Sequence, residues 1–117
     1  MTDAVAARGA GPGAGTLGSL GVEVAAADLS VRLPDGTLAG STLALDRAVR
    51  NAMAFAGLDL AAAVWAVTAT PAAVLGLADR GVVAPGAVAD LVLLTPEGEV
   101  VATVVGGRVV HDTRRAS

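Results

Sequence analysis

The stretch Gly81-Val82-Val83-Ala84-Pro85-Gly86-Ala87-Val88-Ala89-Asp90-Leu91-Val92 carries the clearest structural signal in this chain of 117 residues. A Pro-Gly turn precedes one charged residue and a run rich in Leu and Val, which predicts a strand over residues 89–95. Similar runs over residues 100–105 and 108–110 are separated by Gly-containing turns. We therefore expect a small antiparallel sheet, with the Asp90 carboxylate accepting hydrogen bonds from turn amides.

The region before this stretch has helical periodicity. Apolar residues recur at helical spacing from Leu45 to Ala56, and Gly57 can close that helix in the left-handed conformation. Asp59 is a suitable N-cap for a second helix, in which Trp65 is expected to contribute to packing. Pro71 can begin a third, short helix that ends at Gly76.

The N-terminal region shows weaker signals. Residues 4–20 are mostly small or polar and predict a loop. Alternating apolar residues between Leu20 and Leu33 predict a hairpin with its turn near Ala26 to Asp28. Pro34-Asp35-Gly36 predicts a turn, and Thr37 to Ser41 is expected to continue as a loop. The whole pattern predicts an α+β fold.

Composition excludes several functional classes. The net charge of −3 provides no basic surface for nucleic acid. The N-terminus lacks the features of a signal peptide and no segment is suited to cross a membrane, so we expect a cytoplasmic protein without membrane partners. The chain has no cysteine and only one histidine, His111, which leaves no cysteine or histidine cluster for a metal. Trp65 and Phe55 are the only aromatic residues, so we expect the core to depend on surface supplied from elsewhere.

Two short motifs are candidates for function. Asp3 would ordinarily be a solvated terminal residue, but a carboxylate at the end of a barrel strand can transfer protons during hydrolysis. Leu38-Ala39-Gly40-Ser41 would ordinarily be a turn, but its glycine can also let backbone groups approach a bound ligand. His111, Arg114 and Arg115 are expected to lie in a solvated tail.

These residues resemble the N-acetylglucosamine-6-phosphate deacetylases of the amidohydrolase superfamily. The resemblance rests on Thr2-Asp3-Ala4, on Asp35-Gly36-Thr37-Leu38-Ala39-Gly40-Ser41, on Ala48-Val49-Arg50-Asn51 and on Ala69-Thr70-Pro71-Ala72. The Gly81 to Leu94 segment is similar to many amidohydrolases. The match runs over nearly the whole chain and corresponds to the last third of the family's enzymes.

The resemblance implies a C-terminal fragment of a (β/α)8 metal-dependent hydrolase barrel. Residues 1–80 would supply the last barrel strand and closing helices, and residues 81–117 would supply strands of a small β-sandwich. Asp3 would match the catalytic acid/base, and Leu38, Ala39 and Gly40 would contact the sugar phosphate. Family enzymes use a divalent, zinc-type metal, whose ligands would lie upstream, so we expect this chain to bind no metal alone.

Three hypotheses follow from the resemblance. In the first, the chain is part of a deacetylase of amino-sugar catabolism, which releases acetate and glucosamine 6-phosphate, and is inactive alone. In the second, it is one half of a two-chain amidohydrolase, and a separate protein supplies the metal-binding half; a homodimer is the other assembly considered. In the third, it is a non-catalytic interaction domain that retains elements of the fold.

Overall fold

The computed structural model describes residues 2–6, 9, 11–25 and 29–115. The fold is α+β, as predicted, with two antiparallel sheets. Contacts divide the chain into two units, residues 1–48 and residues 49–117.

The first unit is built on a four-stranded sheet. Its strands are β1 (Gly13–Leu17), β2 (Leu20–Val24), β3 (Ser30–Arg32) and β4 (Leu38–Ser41), in that spatial order. Val22, Val24 and Val31 form its buried core. The predicted pairing of β2 with β3 is confirmed, whereas the turn placed near Ala26 to Asp28 falls on residues 26–28, outside the described residues.

The two loop predictions in this unit are wrong. Residues 13–17, inside the predicted 4–20 loop, form β1 and pair with β2 from Gly13↔Val24 to Leu17↔Leu20. Residues 38–41, inside the predicted 37–41 loop, form β4 and pair with β3. Glycine and alanine have low strand propensity, but the hydrogen bonds of a neighbouring strand and the packing of Leu17 and Ala39 on the valine core stabilise both segments.

The turn before β4 is confirmed. Gly36 adopts a φ of 86°, and its amide donates to the Leu33 carbonyl at 2.9 Å. The Asp35 carboxylate accepts a hydrogen bond from the Thr37 amide, which lowers the pKa of Asp35. This side-chain-to-backbone bond is the expected role of aspartate in a tight turn.

Helix α1 (Leu45–Ala56) begins in the first unit and continues into the second, and α2 (Leu60–Val67) follows it. Both predicted helix ends are confirmed: Gly57 has a φ of 66°, and Asp59 accepts a hydrogen bond from the Ala62 amide at 2.7 Å. Trp65 was expected to pack, but 64% of its surface is exposed.

Helix α3 (Ala69–Val74) begins and ends two residues before the predicted bounds. Thr68 separates it from α2 with a non-helical backbone, at φ −126° and ψ −85°. Pro71 therefore lies in the first helical turn, where an amide hydrogen would have no partner within the helix.

The second sheet has three antiparallel strands, β5 (Leu91–Leu94), β6 (Val100–Val105) and β7 (Arg108–Asp112). This confirms the predicted C-terminal sheet. His111 was placed in a solvated tail, but it lies in β7 opposite Thr103 because the strand extends to Asp112. Arg114 and Arg115 lie in a short 3₁₀ helix (Thr113–Arg115), and both pair with Asp112.

The predicted structural role of Asp90 is also confirmed. One carboxylate oxygen accepts a hydrogen bond from the Gly106 amide at 2.8 Å, in the turn between β6 and β7. The other pairs with the Arg80 guanidinium. Asp90 thus links the start of β5 to the turn that follows the C-terminal end of β6.

No helix in the described part of the chain is long and apolar enough to span a bilayer.

The Asp112 carboxylate makes the stability of the folded chain depend on pH. The Arg114 side chain donates to it from Nε at 2.9 Å and from Nη2 at 3.1 Å, which lowers the pKa of Asp112 below its ordinary value of 3.8. Because the folded pKa is lower than the unfolded one, this contribution to stability is present above the unfolded pKa and is lost as pH falls through the folded pKa.

We therefore predict that Asp112→Asn lowers the midpoint of urea unfolding at neutral pH. The difference from the unmodified chain should shrink as pH falls below about 4. The control is Glu97→Gln, which changes an exposed carboxylate in the turn before β6. A deficit in Asp112→Asn that is independent of pH would contradict this assignment.

Candidate functional site

The structure brings Asp3 and Gly40 together, both within the first unit. Ala4 forms an isolated parallel bridge with Ser41, so the segment Thr2–Val5 lies along the edge of β4 that β3 leaves free. A β-carbon built on Gly40 would be 3.7 Å from the Asp3 carboxylate oxygen Oδ2. Two of the predicted functional motifs thus form one local site.

Ser41 holds the N-terminal segment in place through three hydrogen bonds. Its amide donates to the Asp3 carbonyl at 2.8 Å, and its carbonyl accepts from the Val5 amide at 3.0 Å. Its hydroxyl donates to the Thr2 carbonyl. The same hydroxyl accepts from the Leu43 amide at 3.2 Å.

Gly40 is buried, and its missing side chain makes room for the N-terminal segment. A β-carbon at this position would be 2.6 Å from Val5 Cγ1 and 2.9 Å from the Asp3 carbonyl oxygen. Its φ of 137° is also unfavourable for residues with side chains. Packing therefore requires a glycine at position 40, whether or not the predicted ligand contact is made.

The other two predicted contact residues have different environments. Leu38 is 61% exposed, at the start of β4. Ala39 is half-buried and packs against the valine core of the sheet. Only the Leu38 side chain is thus broadly open to a ligand among these three residues, while Gly40 can offer only backbone groups.

Asp3 has an unusual backbone. Its φ is 49°, in the left-handed region that aspartate tolerates better than most residues, and the residue is exposed. No described residue donates a hydrogen bond to its carboxylate. An exposed carboxylate without such a partner can accept a proton from a substrate or water and return it.

The described residues do not fit a metal site. They contain no group of three or more histidine, cysteine, aspartate or glutamate side chains close enough to share an ion. A metal required by the chemistry of this site would need ligands from outside those residues.

Sequence reasoning missed Ser41 and Val5 as parts of the site. Ser41 was present in the Leu-Ala-Gly-Ser motif, but only as a member of a loop. Its bond to Thr2 joins residues 39 positions apart, and no local pattern predicts such a pairing. The glycine beside it was the available signal, because a glycine within a strand often marks the close approach of another backbone.

Comparison with known proteins identifies the family. The sequence model of the amidohydrolase family matches residues 5–110. The chain belongs to the amidohydrolase family. The match includes β4 and Ser41, while Asp3 lies just before its first residue.

The relatives of this amidohydrolase chain include N-acetylglucosamine-6-phosphate deacetylases. That of Bos taurus is 38% identical over 117 residues, which cover 99% of this chain and 28% of the relative. The solved structure of the Thermotoga maritima deacetylase is 42% identical with a TM-score of 0.87, covering 97% of this chain and 31% of that one.

A mutant Mycobacterium smegmatis deacetylase, solved in complex with N-acetyl-D-glucosamine-6-phosphate, is 34% identical with a TM-score of 0.77. The match covers 94% of this chain and 29% of the Mycobacterium smegmatis chain. The amidohydrolase chain thus spans less than a third of each of these three proteins.

The close packing around Gly40 predicts that a larger residue at this position destabilises the first unit. Gly40→Ala should destabilise the first unit by about 1–3 kcal/mol, because the new methyl group overlaps Val5 and the Asp3 backbone. It should also increase hydrogen exchange at the Val5 amide, whose bond to Ser41 depends on the same close approach.

Gly21→Ala is the matched control. A β-carbon there meets nothing within 4 Å, and its φ is not positive. Thermal unfolding and hydrogen exchange monitored by NMR would measure both variants. Equal stability and equal Val5 exchange in the two variants would show that residues 2–5 do not pack against Gly40.

Proposed function

We propose that this chain is the C-terminal part of an N-acetylglucosamine-6-phosphate deacetylase. The completed enzyme hydrolyses the N-acetyl group of its substrate to give glucosamine 6-phosphate and acetate. The observation that carries the proposal is that Asp3 lies beside Gly40, within a chain that resembles deacetylases over nearly its whole length.

Asp3 acts as the acid/base in this proposal. Water adds to the amide carbonyl and gives up a proton to the Asp3 carboxylate. As the carbon–nitrogen bond breaks, Asp3 returns that proton to the leaving amine. The exposure of Asp3 and the absence of a described donor to its carboxylate support this role, because both oxygens remain accessible.

The β4 residues Leu38, Ala39 and Gly40 contact the sugar phosphate. Leu38 can provide an apolar surface for the sugar ring, since its side chain is largely exposed. Ala39 and Gly40 contribute through their backbone and through the position they give to Asp3. The divalent metal of the family would polarise the carbonyl and activate water, and residues outside this chain would hold it.

The same proposal assigns residues 1–80 to the end of a (β/α)8 barrel and residues 81–117 to a small β-sandwich. In support, the strands of one antiparallel sheet precede the three helices in the sequence, and the strands of the other follow them. The substrate is a phosphorylated sugar, which agrees with the cytoplasmic location expected from the sequence.

A chimaera tests the proposal directly. In the Thermotoga maritima deacetylase, the segment that superposes on this chain is replaced by residues 1–117. We expect it to release acetate from N-acetylglucosamine 6-phosphate, and Asp3→Asn to lower kcat by roughly 10²–10⁴-fold.

Asp79→Asn is the control, because it changes another exposed aspartate that is not part of the site. The isolated chain, supplied with zinc, should give no turnover. Full activity of the Asp3→Asn chimaera would refute the catalytic role of Asp3, provided that both chimaeras fold.

A second candidate is a two-chain enzyme, favoured by the apolar surface of the second unit. Phe55 is 84% exposed, Val83 is 88% exposed and Trp65 is 64% exposed. Apolar side chains exposed to this degree favour contact with another protein surface. A separate protein that supplies the barrel strands and the metal would cover such surface and complete the site.

Mixing experiments test this second candidate. A Thermotoga maritima deacetylase that lacks the superposing segment is combined with the isolated chain, and deacetylation and co-elution are measured. We expect a stable complex with restored activity, and Trp65→Ala should weaken it because an interfacial tryptophan often contributes strongly to binding. Leu20→Ala, at an exposed leucine of the first sheet, is the control. Separate elution without activity, or self-association into an inactive dimer, would count against the two-chain enzyme.

A further inference from the structure

We propose that the Ser41 hydroxyl is a positioning group that fixes the backbone on which Asp3 is carried. The inference rests on the proposed role of Asp3 and extends it to a residue outside the proposed substrate contacts. It starts from the left-handed backbone of Asp3, whose φ is 49°.

The position of Asp3 must come from its backbone. No described residue donates a hydrogen bond to its carboxylate, and the residue is exposed, so side-chain packing does not hold it. A residue with a side chain in the left-handed region has a local energetic cost, and it persists only where the surrounding structure determines it. For Asp3, the surrounding structure is β4, which bonds to the backbone of residues 2–5 through Ser41.

Ser41 bonds to both peptide groups that flank the Asp3 α-carbon. The Thr2 carbonyl belongs to the peptide group before that carbon and accepts from the Ser41 hydroxyl. The Asp3 carbonyl belongs to the peptide group after it and accepts from the Ser41 amide at 2.8 Å. The orientations of these two planes define φ and ψ of Asp3, so one residue determines both angles.

The hydroxyl is itself oriented. A serine hydroxyl has one proton to donate and lone pairs to accept with. The Leu43 amide donates to one lone pair at 3.2 Å, and the proton is directed to the Thr2 carbonyl. Of the Ser41 bonds to residues 2–5, only the hydroxyl bond depends on the side chain, which makes it separable by mutation.

Ser41→Ala in the chimaera should lower kcat for N-acetylglucosamine 6-phosphate by about 100-fold with a smaller change in KM, because a misplaced group loses orientation rather than substrate binding. Ser41→Thr retains the hydroxyl and should restore most of the activity. Thr42→Val removes the neighbouring hydroxyl, which faces the Leu29 carbonyl, and should leave activity unchanged.

A double variant separates positioning from a direct role. If Ser41 acts through Asp3, adding Ser41→Ala to Asp3→Asn should cause no further loss of kcat. Losses that multiply, or a fully active Ser41→Ala chimaera, would overturn the inference.

Hydrogen exchange provides a readout that does not depend on catalysis. Ser41→Ala should increase exchange at the Val5 amide by about tenfold or more, and Ser41→Thr should restore protection. If Asp3→Asn retains activity, the proposed function fails, and exchange at Val5 still decides whether the hydroxyl fixes residues 2–5. Unchanged Val5 exchange in Ser41→Ala would then refute the positioning role as well.

Discussion

The pairing of residues 2–5 with Ser41 is the contact on which the candidate site depends. Without it, the Ser41 amide and carbonyl would face an open sheet edge, and nothing in the described chain would hold Asp3 beside Gly40. The pairing in turn requires a glycine at position 40, because any larger residue would overlap Val5. Backbone hydrogen bonding and the absence of one side chain therefore act together.

The elements predicted correctly from the sequence are those with a local physical cause. The Asp59 carboxylate caps its own helix and Gly57 ends the preceding one, so short sequence windows contain all the necessary information. The strand β6 likewise follows from its composition, since all its residues except Ala102 are β-branched. The α+β class could be predicted for the same reason.

The elements that were missed have causes distant in the sequence. β1 and β4 are rich in glycine and alanine, and they are strands because neighbouring strands satisfy their backbone groups. Asp3 and Gly40 could each be identified as candidates from the motifs, but their contact could not be predicted. It depends on a parallel pairing that joins the first residues of the chain to the far edge of a sheet.

The way in which Asp3 is held also bears on what it can do. A donor hydrogen-bonded to a carboxylate fixes its position, but it occupies a lone pair that proton transfer requires. Anchoring through the backbone at Ser41 avoids this conflict, because the Thr2 and Asp3 carbonyls accept the bonds and the carboxylate oxygens remain accessible. The strained φ of Asp3 is then the cost of orienting the group while both carboxylate oxygens stay accessible. A proton-transfer residue benefits from this arrangement, whereas a purely structural aspartate such as Asp90 uses both of its oxygens for bonds within the fold.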